Sequence, residues 1–172
     1  MKRIHIIGRK NHGKTTLVVE LVSALAASGL KVGTIKHTHH DHDLDVPGKD
    51  SHRHRTAGAI ISGICSPQAG AIFFQPPPLE DDATNDAKYA VFQPHFQSCD
   101  VVIVEGDTHT SAPKLEVWRA SVGGEPYATS DCQVHAIISD DPSVLGNIGD
   151  TPVWSRSNVA DLQQRLLLLL KQ

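Results

Sequence analysis

Two stretches of this chain carry side chains whose types and spacing can do chemistry. The first is "GRKNHGKT", Gly8 to Thr15, which has the pattern G-x-x-x-x-G-K-[ST] without a mismatch. Glycines at Gly8 and Gly13 let the backbone curl so that successive N–H groups point at phosphate oxygens. A helix starting after the loop adds its N-terminal partial positive charge. Lys14 is long enough to reach β- and γ-phosphates, and the Thr15 hydroxyl is a ligand for Mg²⁺. Arg9, Lys10, Asn11, His12 and Thr16 complete the loop and the first turn. A plain glycine turn before a helix would need neither Lys14 nor Thr15, so the phosphate-binding reading is favoured.

The second stretch is "IKHTHHDHDLDVPGKDSHRHR", residues 35 to 55. It holds His37, His39, His40, His42, His52 and His54, six of the chain's 11 histidines, beside Asp41, Asp43, Asp45 and Asp50. Three chemistries compete. A polar loop would leave the histidines solvated and replaceable. A zinc or nickel store would use imidazole and carboxylate ligands, but it needs three or four of them to converge. A nucleotide loop would turn Asp41 or Asp43 toward Mg²⁺ and Lys36, His37, His39, Lys49 and Arg53 toward phosphate. The third reading fits best with what precedes the stretch.

The elements that must position these residues are legible around them. "RIHII" (3 to 7) is a short buried strand ended by glycine. From Thr15 the residues Leu17, Val18, Leu21, Val22 and Leu25 fall at helical spacing, with Gly29 at the C-terminal cap. "KVGTIKH" (31 to 37) is a second strand, which makes a βαβ unit and favours a parallel sheet. The histidine stretch then leaves the carboxyl end of that strand, where open α/β sheets bind ligands. Pro47-Gly48 turns the chain, and Asp50 or Ser51 is placed to cap a short helix.

"AIISGIC" (59 to 65) and "AIFFQ" (71 to 75) predict an antiparallel hairpin added to the main sheet. "QPPPLEDDATND" (75 to 86) predicts an exposed, mobile loop, and "AKYAVFQPHFQS" a short helix broken near Pro94. "DVVIVEG" (100 to 106) and "VHAIIS" (134 to 139) are buried strands, "KLEVWR" (114 to 119) an alternating one, and "TPVWS" (151 to 155) a last strand. Asn158 caps a closing helix with Asp161 in its first turn. Glu105 follows four apolar strand residues, the place for an acid that holds Mg²⁺, and Gly106 permits close approach to a γ-phosphate. Asp100 belongs to the opposite edge of the sheet. The guanine-reading N-K-x-D pattern is missing. Asp140, after "VHAIIS", is placed to accept from a guanine N1–H and N2–H₂, although "SDDP" also reads as a simple turn.

Composition bounds the rest. At 172 residues the chain is one domain, 1 to 172, large enough for a core without staples. A net charge of −3 supplies no basic stripe for nucleic acid. Cys65, Cys99 and Cys132 form no C-x-x-C pair and suit a reducing compartment, so a cytoplasmic protein is expected. "LLLLL" at 166 to 170 is far too short to span a membrane.

In sequence, "GRKNHGKTTL", "GTIKHTHHDHDLDVPGKDSHRHRTAGA", "VVIVEGD" and "PKLEV" resemble the molybdopterin-guanine dinucleotide biosynthesis adaptor family, MobB, over nearly the whole chain. The resemblance implies a P-loop NTPase-like three-layer α/β fold, with a mostly parallel central sheet and an added antiparallel hairpin. It implies a GTP- and Mg²⁺-binding dimer with weak GTPase activity at most. Its partner would be the guanylyltransferase of MobA type, which joins GMP to molybdopterin, and molybdopterin itself is a possible ligand. The site residues carried over are Gly8 to Thr16, Lys36, His37, His39, Asp41, Asp43, Glu105, Gly106 and Asp140, with Thr15, Asp41 and Glu105 around the metal. Family members often place an aromatic residue and then a lysine after the "VEG" strand end. Here Asp107, Thr108 and His109 follow Gly106, so no role of that lysine is carried over. His12 stands where a serine is common, which a backbone-driven loop should tolerate. A metal-insertion GTPase with a nickel- or zinc-binding histidine loop would usually add a cysteine site and N-K-x-D. A small-molecule kinase would want an arginine-rich lid, which the acidic segment 75 to 86 does not provide. The alternating "KLEVWR" strand and the hairpin are candidate dimer edges by strand pairing, with covered edges an equal alternative.

Overall fold

The computed structural model describes residues 1–38, 43–75, 86–141, 143, 145 and 148–171. The chain divides into two compact units, one made of Met1–Thr38 and Thr84–Gln172, the other of His39–Ala83. In the first unit lie β1 (Arg3–Ile7), α1 (Lys14–Ala27), β2 (Val32–Lys36), β5 (Val101–Glu105), β6 (Lys114–Trp118), β7 (Val134–Ser139), β8 (Val153–Ser155) and α3 (Val159–Leu169). The second holds α2 (Asp50–Thr56), β3 (Ile61–Cys65) and β4 (Gly70–Phe74).

The sheet of the first unit has the order β2-β5-β1-β6-β7-β8, and every pairing is parallel. β1 is central, and the strand order reverses around it. The loop that follows β1 therefore leaves the sheet at a topological switch point, the usual ligand crevice of such sheets. On one face, Leu17, Val18, Leu21 and Leu25 of α1 and Leu162 and Leu166 of α3 pack on Ile4, Ile6, Val101, Ile103, Leu115, Val117, Ala136 and Ile138. Each fully buried aliphatic side chain there contributes roughly 1.5–3 kcal/mol. The other face is covered by 3₁₀ turns. Tyr89, Phe92 and Phe96 of the turns at Ala87–Phe96 pack with Ile35, Val102 and Val104. Ala128 of the turn Tyr127–Thr129 joins Ile7, Trp118, Val134 and Ile137. The expected break near Pro94 takes the form of these 3₁₀ turns, because proline cannot donate into an α-helical ladder.

The expectation of an alternating, half-exposed strand at "KLEVWR" is corrected. All five residues of β6 are buried, and it lies between β1 and β7, so it is no dimer edge. Alternation misled because Lys114 and Glu116 are polar residues satisfied inside. Lys114 Nζ donates to Thr108 O, to Gln133 Oε1 and, at 2.6 Å, to Asp131 Oδ2. The Glu116 carboxylate accepts the N–H groups of Tyr127 and Ala128 at 2.8 and 3.0 Å. Buried polar groups that are paired in this way cost little. At the chain's end Asn158 caps α3, its Oδ1 accepting from Asp161 N at 3.0 Å.

The second unit corrects two more expectations. The hairpin β3–β4 pairs only with itself, as a separate two-stranded sheet, instead of joining the main one. Neither Asp50 nor Ser51 caps α2. Lys49 occupies the cap position, Asp50 is the first helical residue, and the Ser51 hydroxyl donates to Asp45 Oδ1 at 2.8 Å. The buried side chains among the described residues of this unit are Asp45, Ser51 and Ser62, whereas Ile60, Ile61, Ile64 and Ile72 are exposed.

Beneath the central strand sits a polar cluster that the sequence did not announce. His5 on β1 is fully buried. Its Nδ1 lies 3.2 Å from Gly106 O, and its Nε2 accepts from Arg3 Nε at 3.2 Å. Only the neutral ring, protonated at Nδ1, satisfies both contacts. Burial pushes the His5 pKa down to about 4, the Arg3 charge adding to this against the bond to Gly106 O. Tyr89, edge-on to the ring, donates to Asp107 Oδ2 at 2.8 Å, where Lys88 also binds at 2.9 Å. Because the folded-state pKa lies below the unfolded value, the stability His5 contributes is complete above pH 6.5 and is lost as pH falls through 4. Urea unfolding of the wild type and His5→Gln at pH 7, 5.5 and 4 should therefore show the wild-type advantage shrinking by about 2–3 kcal/mol over that range. A pH-independent difference would mean that His5 protonates in the folded protein.

Candidate phosphate-binding site

The loop between β1 and α1 has the geometry its sequence demands. Gly13 stands at the N-cap of α1 with φ +91°, and Gly8 has φ +142°. A Cβ at Gly8 would lie 2.4 Å from Val117 O, so only glycine lets the loop pass this close to β6. Asn11 also has positive φ, 68°, a conformation asparagine tolerates better than most residues. Lys14 folds back over the loop, its Nζ donating to Arg9 O at 2.8 Å. Burial lowers the Lys14 pKa, and Lys36 nearby lowers it further against the pull of Glu105. Arg9 is held by Glu125 O at 3.2 Å and lies over the Tyr127 ring. Lys10 and Thr16 are exposed at the loop and the first turn.

On the β5 side, the Thr15 hydroxyl donates to Glu105 Oε1 at 2.6 Å. Two of the three residues expected around Mg²⁺ are thus in contact, although they come from different elements, and the third, Asp41, lies outside the described residues. β2 and β5 are paired with Lys36 opposite Glu105, and His37 N donates to Glu105 O at 2.9 Å. A Cβ on Gly106 would come within 3.0 Å of His37 O, so Gly106 is also needed for the approach of these two strand ends. A hydroxyl and a carboxylate oxygen are hard donors, and Mg²⁺ is commonly held by one or two such protein groups with phosphate and water completing the octahedron. The residues present fit that ion.

On the β6 side, His12 is buried and its Nδ1 accepts the N–H of Arg119 at 2.9 Å. An acceptor nitrogen requires the neutral ring, and the His12 pKa is lowered by burial and then by the charges of Lys14, Arg9 and Arg119. His12 is therefore a brace between loop and strand β6, a role not foreseen from a backbone-driven loop. The Arg119 guanidinium lies against the loop, with Nη2 2.9 Å from where a Cβ on Gly13 would be. Its Nε is 3.3 Å from Asp140 Oδ2. Asp140 is at the carboxyl end of β7, on the same side of the sheet as the loop, and carries an ion pair that the sequence did not suggest.

Asp43 belongs to the second unit, where its carboxylate binds Arg55 at 2.7 Å and His52 at 3.2 Å. Asp45 beside it binds Arg55 at 3.3 Å. His39 and Asp41, together with His40 and His42, lie outside the described residues, as does most of the segment expected to be a mobile loop. Among the described residues, no group of three or more His, Cys, Asp or Glu side chains is placed to hold a metal ion. Asp107 is a buried structural acid, not a substitute for the aromatic residue of the family pattern. A cavity of about 590 Å³ lined in part by Cys132, His135 and Asp150 opens at the amino ends of β7 and β8, away from the loop. Among the described residues, no helix is long and apolar enough to cross a membrane.

Residues 3–140 match the family model described as molybdopterin guanine dinucleotide synthesis protein B. The molybdopterin-guanine dinucleotide biosynthesis adapter protein of Escherichia coli is 38% identical over 131 residues, 76% of this chain and 73% of that protein. The protein of the same description from Haemophilus influenzae is 32% identical over 80% of this chain and 74% of its own length. The crystal structure of Bacillus subtilis MobB superposes with a TM-score of 0.71 over 98% of both chains at 19% identity, which shows the shared fold. With the family model spanning most of its length and these relatives beside it, the chain belongs to the MobB family.

Proposed function

We propose that this protein is a GTP·Mg²⁺-binding adaptor in molybdenum cofactor biosynthesis, acting where GMP is attached to molybdopterin. The observation that carries the nucleotide reading is the 2.6 Å hydrogen bond between the Thr15 hydroxyl and Glu105. It sets a hydroxyl and an acid, both of a type that suits Mg²⁺, side by side at the mouth of the glycine loop. The Gly8–Thr16 backbone and Lys14 hold the triphosphate, Lys36 and His37 stand beside its γ end, and Thr15 and Glu105 face the metal. Bound there, Mg²⁺ would supply neutralisation of the phosphate charge. Asp140 faces the base, and its carboxylate accepts from guanine N1–H and N2–H₂, which adenine cannot offer. Asp43 is ion-paired with Arg55 and His52 within the second unit.

The adaptor role is supported by the printed description of the relatives. The partner in this reading is a guanylyltransferase of MobA type in the cytoplasm. The 1–172 chain acts as one nucleotide-binding domain with the second unit inserted after β2. A homodimer is supported by Ile60, Ile61 and Ile72, exposed on a hairpin whose outer edges are unpaired among the described residues. No glutamine or arginine finger is identified at the γ end among the described residues, and GTP turnover is slow without a partner.

Calorimetry with GTP and ATP should show GTP preferred, and Lys14→Ala should weaken GTP by roughly a hundredfold. Equal or tighter ATP binding would reject the guanine assignment. Glu105→Gln should bring GTP affinities with Mg²⁺ and with EDTA close together while leaving the EDTA value unchanged. A variant that keeps the wild-type Mg²⁺ dependence would remove Glu105 from the metal shell. Capture of the purified guanylyltransferase by the GTP-loaded protein tests the adaptor role directly.

A further inference from the structure

We propose that Arg119 is a phosphate-contacting residue of the nucleotide site, held over the loop by Asp140 and acting on the phosphates away from Glu105. This rests on the reading of Gly8–Thr16 as the nucleotide-binding loop.

Three independent contacts fix Arg119 there. Its backbone N–H is tied to the buried His12 of the loop at 2.9 Å. Its guanidinium forms an ion pair with Asp140, Nε lying 3.3 Å from Oδ2 without a hydrogen bond. Its Nη2 end presses on Gly13, where a Cβ would lie 2.9 Å away. Gly13 is needed for its positive φ, and the mobile end of the guanidinium lies beside it. The side chain is about one-third exposed, so the cation faces solvent at the mouth of the loop and is not spent inside the core. An arginine that merely braced the loop would need neither the acid behind it nor that opening.

Topology assigns the end of the nucleotide that Arg119 serves. β5, which carries Glu105, and β6, which carries Arg119 at its end, flank β1 on opposite sides. The metal and the γ-phosphate belong to the β5 side, with Thr15 and Glu105. The β6 side then faces the phosphates nearer the nucleoside, those common to GTP and GDP. Arginine suits that place because its planar fork gives two parallel N–H donors to phosphate oxygens. Asp140 attracts the fork by charge from 3.3 Å, without a hydrogen bond to Nε, and leaves both Nη groups to donate. A carboxylate has about four acceptor positions, so holding Arg119 through Oδ2 does not stop Asp140 from accepting from the base.

The test is calorimetry of wild type, Arg119→Ala and Arg119→Lys with GTP, GDP and ATP, each with Mg²⁺ and with EDTA. Arg119→Ala should weaken GTP and GDP by the same factor, roughly 10–100-fold. The loss should persist in EDTA and leave the GTP-to-ATP ratio unchanged. Arg119→Lys, which keeps the charge but not the fork, should recover part of the affinity and controls for misfolding of the alanine variant. Affinities within twofold of wild type in Arg119→Ala, or a loss seen with GTP and not GDP, would overturn the proposal. Equal GTP and ATP binding by the wild type would reject the guanine reading, while the arginine comparison still decides the role of Arg119. Failure of the wild type to bind any of the three would overturn both.

Discussion

The hydrogen bond from Thr15 to Glu105 joins residues ninety positions apart in the chain, and the rest of the first unit can be understood as what makes it possible. Thr15 is fixed because it lies in the first turn of α1, whose apolar face is buried on the sheet. Glu105 is fixed because β5 is hydrogen-bonded on both sides, to β1 and to β2, with four buried residues preceding it. A parallel sheet with β1 in the middle brings the two together only in the order found here. Two carboxylate- or hydroxyl-bearing residues on mobile loops would not keep a 2.6 Å contact without such support.

The polar groups within this unit divide the labour of holding the strand ends. Below the loop, His5 and Arg3 engage Gly106 O and Tyr89, and Tyr89 and Lys88 engage Asp107, so the chain just past Glu105 is anchored from beneath. At the other side, His12 ties the loop to the end of β6, and Lys114 and Glu116 tie β6 to the segments around Asp131 and Ala128. These are high-stakes networks. Together they fix one arrangement, and the loss of one member leaves a buried donor or acceptor unpaired.

How much of this was legible depended on which physical signal each residue carried. The loop, α1, β1, β2, β5 and β7 follow from local pattern alone, since strong apolar runs and a fixed motif do not need the tertiary fold to be recognised. Glu105 stands at the end of β5, a position legible because a strand end is also a local feature. β6 was misread because Lys114 and Glu116 look like solvent-facing positions until their buried partners, Asp131, Tyr127 and Ala128, are known. The hairpin was assigned to the main sheet because its residues alone do not state a pairing partner. The roles of His5, Tyr89, Asp107, His12 and Arg119 are not legible locally for one reason: each is set by a contact distant in sequence, such as the 107-position separation of His12 and Arg119. A buried histidine inside "RIHII" was the one available hint, since imidazole in an apolar run needs partners for both nitrogens.

The central claim is that one metal-bound nucleotide sits between Thr15, Glu105 and the loop. A crystal structure with a non-hydrolysable GTP analogue and Mn²⁺ in place of Mg²⁺ tests it most directly, because the anomalous signal locates the ion without interpretation of the surrounding density. The account predicts a single strong peak within coordination distance of Thr15 Oγ1, on the same side as the Glu105 carboxylate, with the β-phosphate inside the Gly8–Lys14 curl. A peak held by the histidine-rich stretch with the loop unoccupied would contradict it.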